Sequence, residues 1–434
     1  MLYAIDTPNG FREDVQLTLK QKSIMELNSW FSDLNESNLK HIAKYIISST
    51  FAKTQESLPI LCKTLLNTIQ LRFLELPLYV ELISKILAGE SKRNAIGALP
   101  AEIIKVCFEF TPEYNPDVVI TKFHFLRMLL NAKLVKIQSI TASMKEIDAS
   151  RPNFLFLAAL FFLPEITSTD QRFTKKLNEM IPDLRLTERC LHPYQDRFSE
   201  LSENDFSKLK ELTEIGVEKT HIAYSIMKDD VNSFERHVNQ EKIDLEGFVD
   251  DILFIPCQFL KMTPSYIDFP AFFGSTKIVD WILSHKIQFS SPMMFAVAGG
   301  NMKSIQYFLS RGYDFEKCLR VATYFKRIDL FNYIRPKIAQ AFYNSELNIC
   351  LCRASEQNEI RVVKFCIDSK CNVNCTDEKG ESPVFLASRA GNNQLLKILL
   401  DVPGCSKKIP NMFGNRADEV AEDATLQTLQ DFDE

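Results

Sequence analysis

The feature that most constrains this chain is a spacing. "SPMMFAVAGG", from Ser291, and "SPVFLASRAG", from Ser382, each carry Ser-Pro, an alanine five residues after the serine, and a glycine four beyond that. They lie 91 residues apart, and weaker copies divide the interval into steps of 26, 32 and 33. The first step runs from Gly300 to Lys326, with Ala322 four residues before it. The second reaches Asn358, with Ala354 four before it, and the third reaches Gly391. A further 26 residues back from Gly300 lies Gly274, in "SYIDFPAFFGSTKIVDWIL", with Ser265 and Ala271. A register that survives worn copies predicts an array of similar units, each stable only against its neighbours.

The residues suit a helical hairpin. Gly380 permits positive φ in a turn. Ser382 can cap a first helix, with Pro383 in its first turn. Ala387 is small where helices approach closely, and Gly391 can close the helix in the left-handed conformation. Leu395, Leu396, Leu399 and Leu400 form the apolar stripe of a second helix, as do Ile305, Phe308 and Leu309 upstream, closed by Gly312. A last copy from Gly414 carries Ala417, Val420 and Ala421. Its Asp418 stands where an apolar residue is expected, as befits a terminal unit facing water. An earlier unit is expected in "HIAYSIMKDDVNSFERHV", with Ala223 and a turn at Asp229 and Asp230.

These residues resemble a known family. "DEKGESPVFLASRAGNNQLLKILL" is similar to an ankyrin repeat, and "KCNVNCTDEKG" is similar to the linker that usually reads G-A-D-V-N-A. Asn372, Val373, Asn374 and Gly380 sit on that pattern. Lys370 replaces its Gly, Cys371 its Ala, and Phe385 the leading His, so the histidine's usual bond to the linker is lost. The unit at Ser265 resembles the divergent ankyrin proteins expanded in some unicellular parasitic protists. The resemblance covers roughly 215–434, most strongly 350–421. It implies two helices and a hairpin-like finger per full 33-residue unit. A 26-residue unit lacks about the residues that build the finger. Fingers are therefore expected to be short or missing between Leu283 and Ser291 and between Leu309 and Cys318. They should return between Asp368 and Gly380.

Upstream the pattern is helical from about residue 13 to 180. Leu39, Ile42, Ala43, Ile46 and Ile47 share one helical face, as do Leu58, Leu61, Leu65 and Ile69. "PLYVELISKILAG" runs from Pro77 to Gly89, a start and stop pair. Further helices are expected near 100–110, 117–138, 153–163 and 170–180. The apolar run Phe154–Leu163, between Pro152 and Pro164, is too short to span a bilayer and predicts a buried helix. The rhythm weakens between 182 and 206, which suggests a boundary, with a hinge or simply polar helix surface as alternatives. Two domains are expected, an N-terminal helical region of no recognised family over 1–200 and the repeat array over 201–434.

Composition agrees. Gly (13) and Pro (18) are scarce and Phe (33) abundant, which favours packed helices over loop-rich folds. A formal net charge of -5 offers nothing global to nucleic acid. The N-terminus lacks the basic start and apolar run of a signal peptide. With eleven Cys this predicts a reducing compartment, the cytoplasm, with the nucleus as an alternative.

Catalytic motifs are missing: there is no G-x-G-x-x-G, Walker loop or nucleophile elbow. The six His are scattered, and none pairs at metal-ligand spacing. Cys350, Cys352, Cys366, Cys371 and Cys375 could supply four thiolates to a structural zinc. Each also falls in the repeat register, Cys350 and Cys352 on the first helix, Cys366 in the second helix's apolar stripe, and Cys371 and Cys375 at small-residue linker positions, so no metal is expected. "ALPAEIIKVCFEF", from Ala98, resembles the start of an F-box; an ordinary helix begun by Pro100 is the preferred account.

The sequence thus predicts an all-α protein, an α-solenoid of ankyrin-type helical hairpins with short fingers, preceded by an N-terminal helical region. The expected function is a non-catalytic scaffold or adaptor that binds another protein. The alternative is a substrate receptor of a ubiquitin ligase with 1–200 as the docking module. No cofactor, small-molecule substrate, nucleic acid or membrane span is expected. The candidate contact residues are Asp377, Glu378 and Lys379 on the intact finger, with Glu356, Arg389 and Asn392 at the ends of first helices.

Overall fold

The computed structural model describes residues 19–432, apart from 92–93, 110–114, 149, 262–263, 286–290, 339 and 422. It is helical, and among the described residues the β-structure is an isolated antiparallel bridge between Phe248 and Ser265. Contacts divide the chain into two compact units: residues 34–290, and residues 1–33 together with 291–434. Residue 200, expected as a boundary, lies inside the first of these. The first described helix, α1 (Leu19–Ser32), belongs to the second.

In the unit of 34–290, seven helices follow in order. They are α2 (Leu39–Ser48), α3 (Leu58–Ile69), α4 (Leu76–Leu87), α5 (Leu99–Phe108), α6 (Pro116–Asn131), α7 (Ile137–Lys145) and α8 (Pro152–Thr169). Each packs on the helix two further along: α2 on α4, α3 on α5, α4 on α6, α5 on α7 and α6 on α8. That arrangement makes two helical layers with the core between them. Three helices enter alike, through a 3₁₀ turn and then Leu-Pro, at Leu58, Leu76 and Leu99. Proline lacks the N–H that a first helical turn leaves unbonded anyway. The leucine before it holds right-handed helical dihedrals, which a following proline disfavours. All three leucines are buried, so packing offsets that cost.

Two expectations for this unit are corrected. The helix expected over 117–138 is two helices, because Lys133 turns left-handed (φ 59°) and Leu134 N–H bonds the Leu129 carbonyl. Pro164 does not end its helix. Helix α8 runs through it to Thr169 with Phe154–Leu163 wholly buried. The fully buried Arg127 donates to the Phe161 carbonyl at 2.6 Å and to Glu165 at 3.0 Å, satisfying acceptors in the turn that proline disturbs. By length and composition α8 could cross a membrane; 72% of it is buried inside the structure, as a core helix is.

The stretch of weak rhythm is largely helical. After α9 (Gln171–Met180) it folds as short helices, α10 (His192–Asp196) and α11 (Phe198–Leu201), which bury Tyr194, Phe198 and Leu201. Helix α12 (Glu203–Ile215), with a left-handed turn at Asn204, Asp205 and Phe206, packs on α6 and α8. Two hairpins follow, α13 (Ile222–Met227) with α14 (Val231–Glu241), and α15 (Asp268–Phe273) with α16 (Thr276–Ser284). Helix α13 stacks on α15 and α14 on α16.

The other unit holds four more hairpins. They are α17 (Pro292–Gly299) with α18 (Met302–Ser310), α19 (Cys318–Tyr324) with α20 (Ile328–Ile334), α21 (Gln340–Glu356) with α22 (Ile360–Asp368), and α23 (Pro383–Arg389) with α24 (Asn393–Leu400). A 3₁₀ turn (Ala417–Glu419) and α25 (Asp423–Asp431) close the series. First helices stack on first helices, α17 on α19 on α21 on α23. Helix α1 buries Leu27 and Phe31, and Asp33 accepts from Arg361 of α22 at 2.6 Å.

The register is visible in the backbone. Each of these hairpins turns on a residue of positive φ: Gly300 (71°), Lys326 (51°), Asn358 (55°) and Gly391 (66°). The following N–H bonds the carbonyl five residues back: Asn301 to Ala296, Arg327 to Ala322, Glu359 to Ala354, and Asn392 to Ala387. This is the Schellman closure. The two hairpins of the other unit do the same at Asp229 and Gly274, with bonds from Asp230 to Ser225 and from Ser275 to Pro270. The register residues there are therefore Ser225 and Pro270. The expected Ala223 and Ala271 are buried elsewhere on their helices.

The residue after the left-handed turn also stitches hairpins together. Ser275 Oγ donates to the Ile226 carbonyl (2.5 Å), Arg327 Nε to Ala298 (2.9 Å) and Asn392 Nδ2 to Ser355 (3.2 Å). Each acceptor is a last-turn carbonyl of the preceding first helix, where the intrahelical bonding ends.

Candidate protein-binding surface

The finger expected between Asp368 and Gly380 is present as residues 369–382, and the link 311–317 is short, as its 26-residue step implies. The link after Leu283 includes 286–290, outside the described residues. The 32-residue step behaves differently: its extra length makes α21 a 17-residue helix, where α19 and α23 have seven.

The finger is built from side-chain-to-backbone bonds. Lys370 is left-handed (φ 58°), and Cys371 N–H closes α22 on the Cys366 carbonyl. Asn374 ties the finger to the next one, donating to the Gly404 carbonyl (2.8 Å) and accepting from Ser406 N–H (2.8 Å). At the tip the Asp377 carboxylate accepts from the N–H groups of Lys379 and Glu381, both at 2.9 Å. Gly380 (φ 74°) has no room for a side chain, because a Cβ would lie 2.9 Å from Met412 N.

A second finger repeats this chemistry 34 residues on. Asn411 Oδ1 accepts from Phe413 and Asn415 N–H, and Gly414 (φ 85°) occupies the place of Gly380. Met412 N–H donates to the Lys379 carbonyl at 2.9 Å, so the fingertips are neighbours. One tip presents Glu378 and Lys379, and the other presents Met412 and Phe413, 65% and 73% exposed.

A line of charge runs beside the tips. Arg353 contacts Glu378 (3.0 Å) and Glu356 (3.4 Å), and Arg389 contacts Glu356 (3.3 Å) and the buried Glu381 (2.6 Å). The structure thus brings Glu356, Glu378 and Arg389 into one network. It gives Asp377 the tip turn and Asn392 the inter-hairpin stitch, and leaves Lys379 projecting with its carbonyl in the finger-to-finger bond. Sequence reasoning missed Arg353, Glu381, Met412 and Phe413. Setting Gly414 on Gly380 would have found the last two, since each pair precedes its glycine.

The cysteines sit in packing positions. Cys352 and Cys375 touch at 3.6 Å, Cys375 Sγ donates to the Asn348 carbonyl, and Cys366 Sγ donates to Leu347. Burial pushes the Cys350 thiol far above its ordinary value. Among the described residues no group of three or more His, Cys, Asp or Glu is placed to hold a metal ion.

A family model described as ankyrin repeats (many copies) matches residues 351–400, from the second half of α21 to the end of α24. No curated protein matches the sequence. Among solved structures the chain is similar to the human ASB11 ankyrin repeat domain, with 13% identity and a TM-score of 0.34 over 49% of this chain and 96% of that one. Over residues 351–400 the family match falls on α21 to α24, with a left-handed turn in each hairpin and an intact finger between them.

Proposed function

We propose that this chain is a non-catalytic scaffold or adaptor that binds another protein through its adjoining fingertips. The observation that carries the reading is the pairing of tips. Met412 and Phe413 stand exposed beside Glu378 and Lys379 on backbone fixed by Asx turns and a finger-to-finger bond. Large apolar side chains carried on a fixed backbone spare a partner the cost of ordering that backbone when it covers them. A central apolar contact with a charged rim is the usual anatomy of such an interface.

Glu378, Lys379, Glu356 and Arg389 supply that rim. Asp377 and Asn392 act behind it by holding the tip and the hairpin in place. A reducing compartment, the cytoplasm first, suits eleven free thiols. The test is affinity capture with the full chain and with a Met412→Ser/Phe413→Ser variant. The proposal expects bound proteins that the variant loses while its thermal unfolding is unchanged; an identical captured set from both would refute it. Recovery of ligase scaffold subunits would identify the adaptor as a ligase receptor. Leu99, the first residue of α5, is fully buried. A charge there would damage the fold and could not test docking.

A further inference from the structure

The hairpin of α13 and α14 carries a cleft of about 520 Å³ that the fingertip reading does not use. Three short elements line it: residues 219–220, the C-terminal end of α13, and one face of α14 marked by Ser233, Arg236, His237 and Gln240. Lys219, Lys228 and Arg236 converge on it with His237, against one carboxylate, Asp230.

That carboxylate is already engaged. Its oxygens accept from Ser233 N–H (3.2 Å) and Ser233 Oγ (2.6 Å), capping α14. The helix N-terminus is therefore satisfied internally and is not the recognition element. Lys219 and His237 have carboxylate partners, Glu211 and Glu241, but neither of these lines the cleft. Lys228 pairs with no carboxylate among the described residues; its ammonium lies over the Tyr224 ring, 5.6 Å from the centroid. Arg236 holds its guanidinium by donating to Ser233 Oγ at 2.8 Å.

A concave site of this size suits a small molecule better than an extended peptide. Cations arranged around a hollow, one a planar fork and two point charges, suit a compact ligand with several anionic oxygens. We propose that this cleft binds a phosphate-bearing ligand, with Lys228 and Arg236 as the principal contacts and Lys219 and His237 at its edge.

The test is calorimetric titration of the full chain with inorganic tripolyphosphate. It is paired with co-sedimentation on phosphatidylcholine vesicles with and without a phosphoinositide. The same measurements follow on Lys228→Gln/Arg236→Gln, two exposed positions whose change leaves the fold intact by circular dichroism. Support is one saturable site weakened about tenfold or more in the double variant. Binding by tripolyphosphate alone identifies a free phosphate, and binding by phosphoinositide vesicles as well identifies a lipid headgroup. The proposal fails if neither probe binds saturably, if the double variant binds as wild type does, or if a polyglutamate peptide binds as tightly at the same residues.

Discussion

Residues 39–169 and residues 292–400 are both stacks in which alternate helices pack together, yet they mark their helices at opposite ends. In the first region the signal is at the start: a 3₁₀ turn, a buried leucine and a proline, repeated at Leu58, Leu76 and Leu99. In the second it is at the stop, a left-handed residue closing each first helix at Gly300, Lys326, Asn358 and Gly391. The same packing rule is thus reached through two local codes. The stop code sets a fixed offset between helices and so leaves a repeating sequence. The start code fixes only where a helix begins and leaves helix and link lengths free.

The largest effects should come from breaking each stack at its tightest point. Ala387 is fully buried between helices, so Ala387→Asp should cost roughly 3–5 kcal/mol by placing an unpaired charge there. Leu99→Ala should cost about 2–5 kcal/mol in the start-coded stack. Urea unfolding of both variants checks this; wild-type midpoints would show that neither residue holds its stack together.

A pH effect is expected at His124 in the start-coded region. Burial holds His124 neutral and pushes its pKa down to about 4, against the partial support of a 2.7 Å bond with the Phe254 carbonyl. The unfolded side chain titrates near 6.5. Between those values the unfolded state binds the proton and the folded state does not. The stability His124 contributes is therefore full above about pH 6.5 and is lost as pH falls toward 4, by up to about 3 kcal/mol. The difference in unfolding free energy between wild type and His124→Leu, followed from pH 7 to 4, should carry that slope; a flat difference would place His124 in water.

Within the stop-coded stack, glycines should differ. A Cβ on Gly300 would meet the Arg327 guanidinium at 2.1 Å, whereas nothing lies within 4 Å of one on Gly391. Gly391→Ala should cost only the left-handed strain, about 1 kcal/mol. Gly300→Ala should cost more, since the buried Arg327 must also give up its place and its bond to Ala298. Equal midpoints would separate Arg327 from the turn.

The contrast also explains what could be read in advance. The hairpins of 292–400, the finger at 369–382 and its cap at Ser382 were legible because Gly, Pro and Ser have few reasons to stand where they do. The break at Lys133 was not, since nothing in the side chain of a left-handed lysine announces its φ. Ser225 and Pro270 were missed because Ala223 and Ala271 satisfy the same apolar pattern a residue or two away. The long α21 was hidden because six or seven extra residues can build a finger or extend a helix, and spacing is silent on which. At the site, Met412 and Phe413 were overlooked because apolar residues in a sequence suggest a core; only the register puts them at a tip.

Worn copies of the repeat keep the left-handed turn without glycine, and Asn358 is the position where this can be measured. Asn358 has φ 55° and a side-chain oxygen without a partner in its surroundings. Asn358→Gly should therefore stabilise the array, by about 0.5 kcal/mol, because glycine accepts this conformation without strain. The unfolding midpoint in urea should rise. A fall equivalent to about 1 kcal/mol, the usual cost of glycine inside a helix, would place Asn358 in ordinary helix and contradict the register.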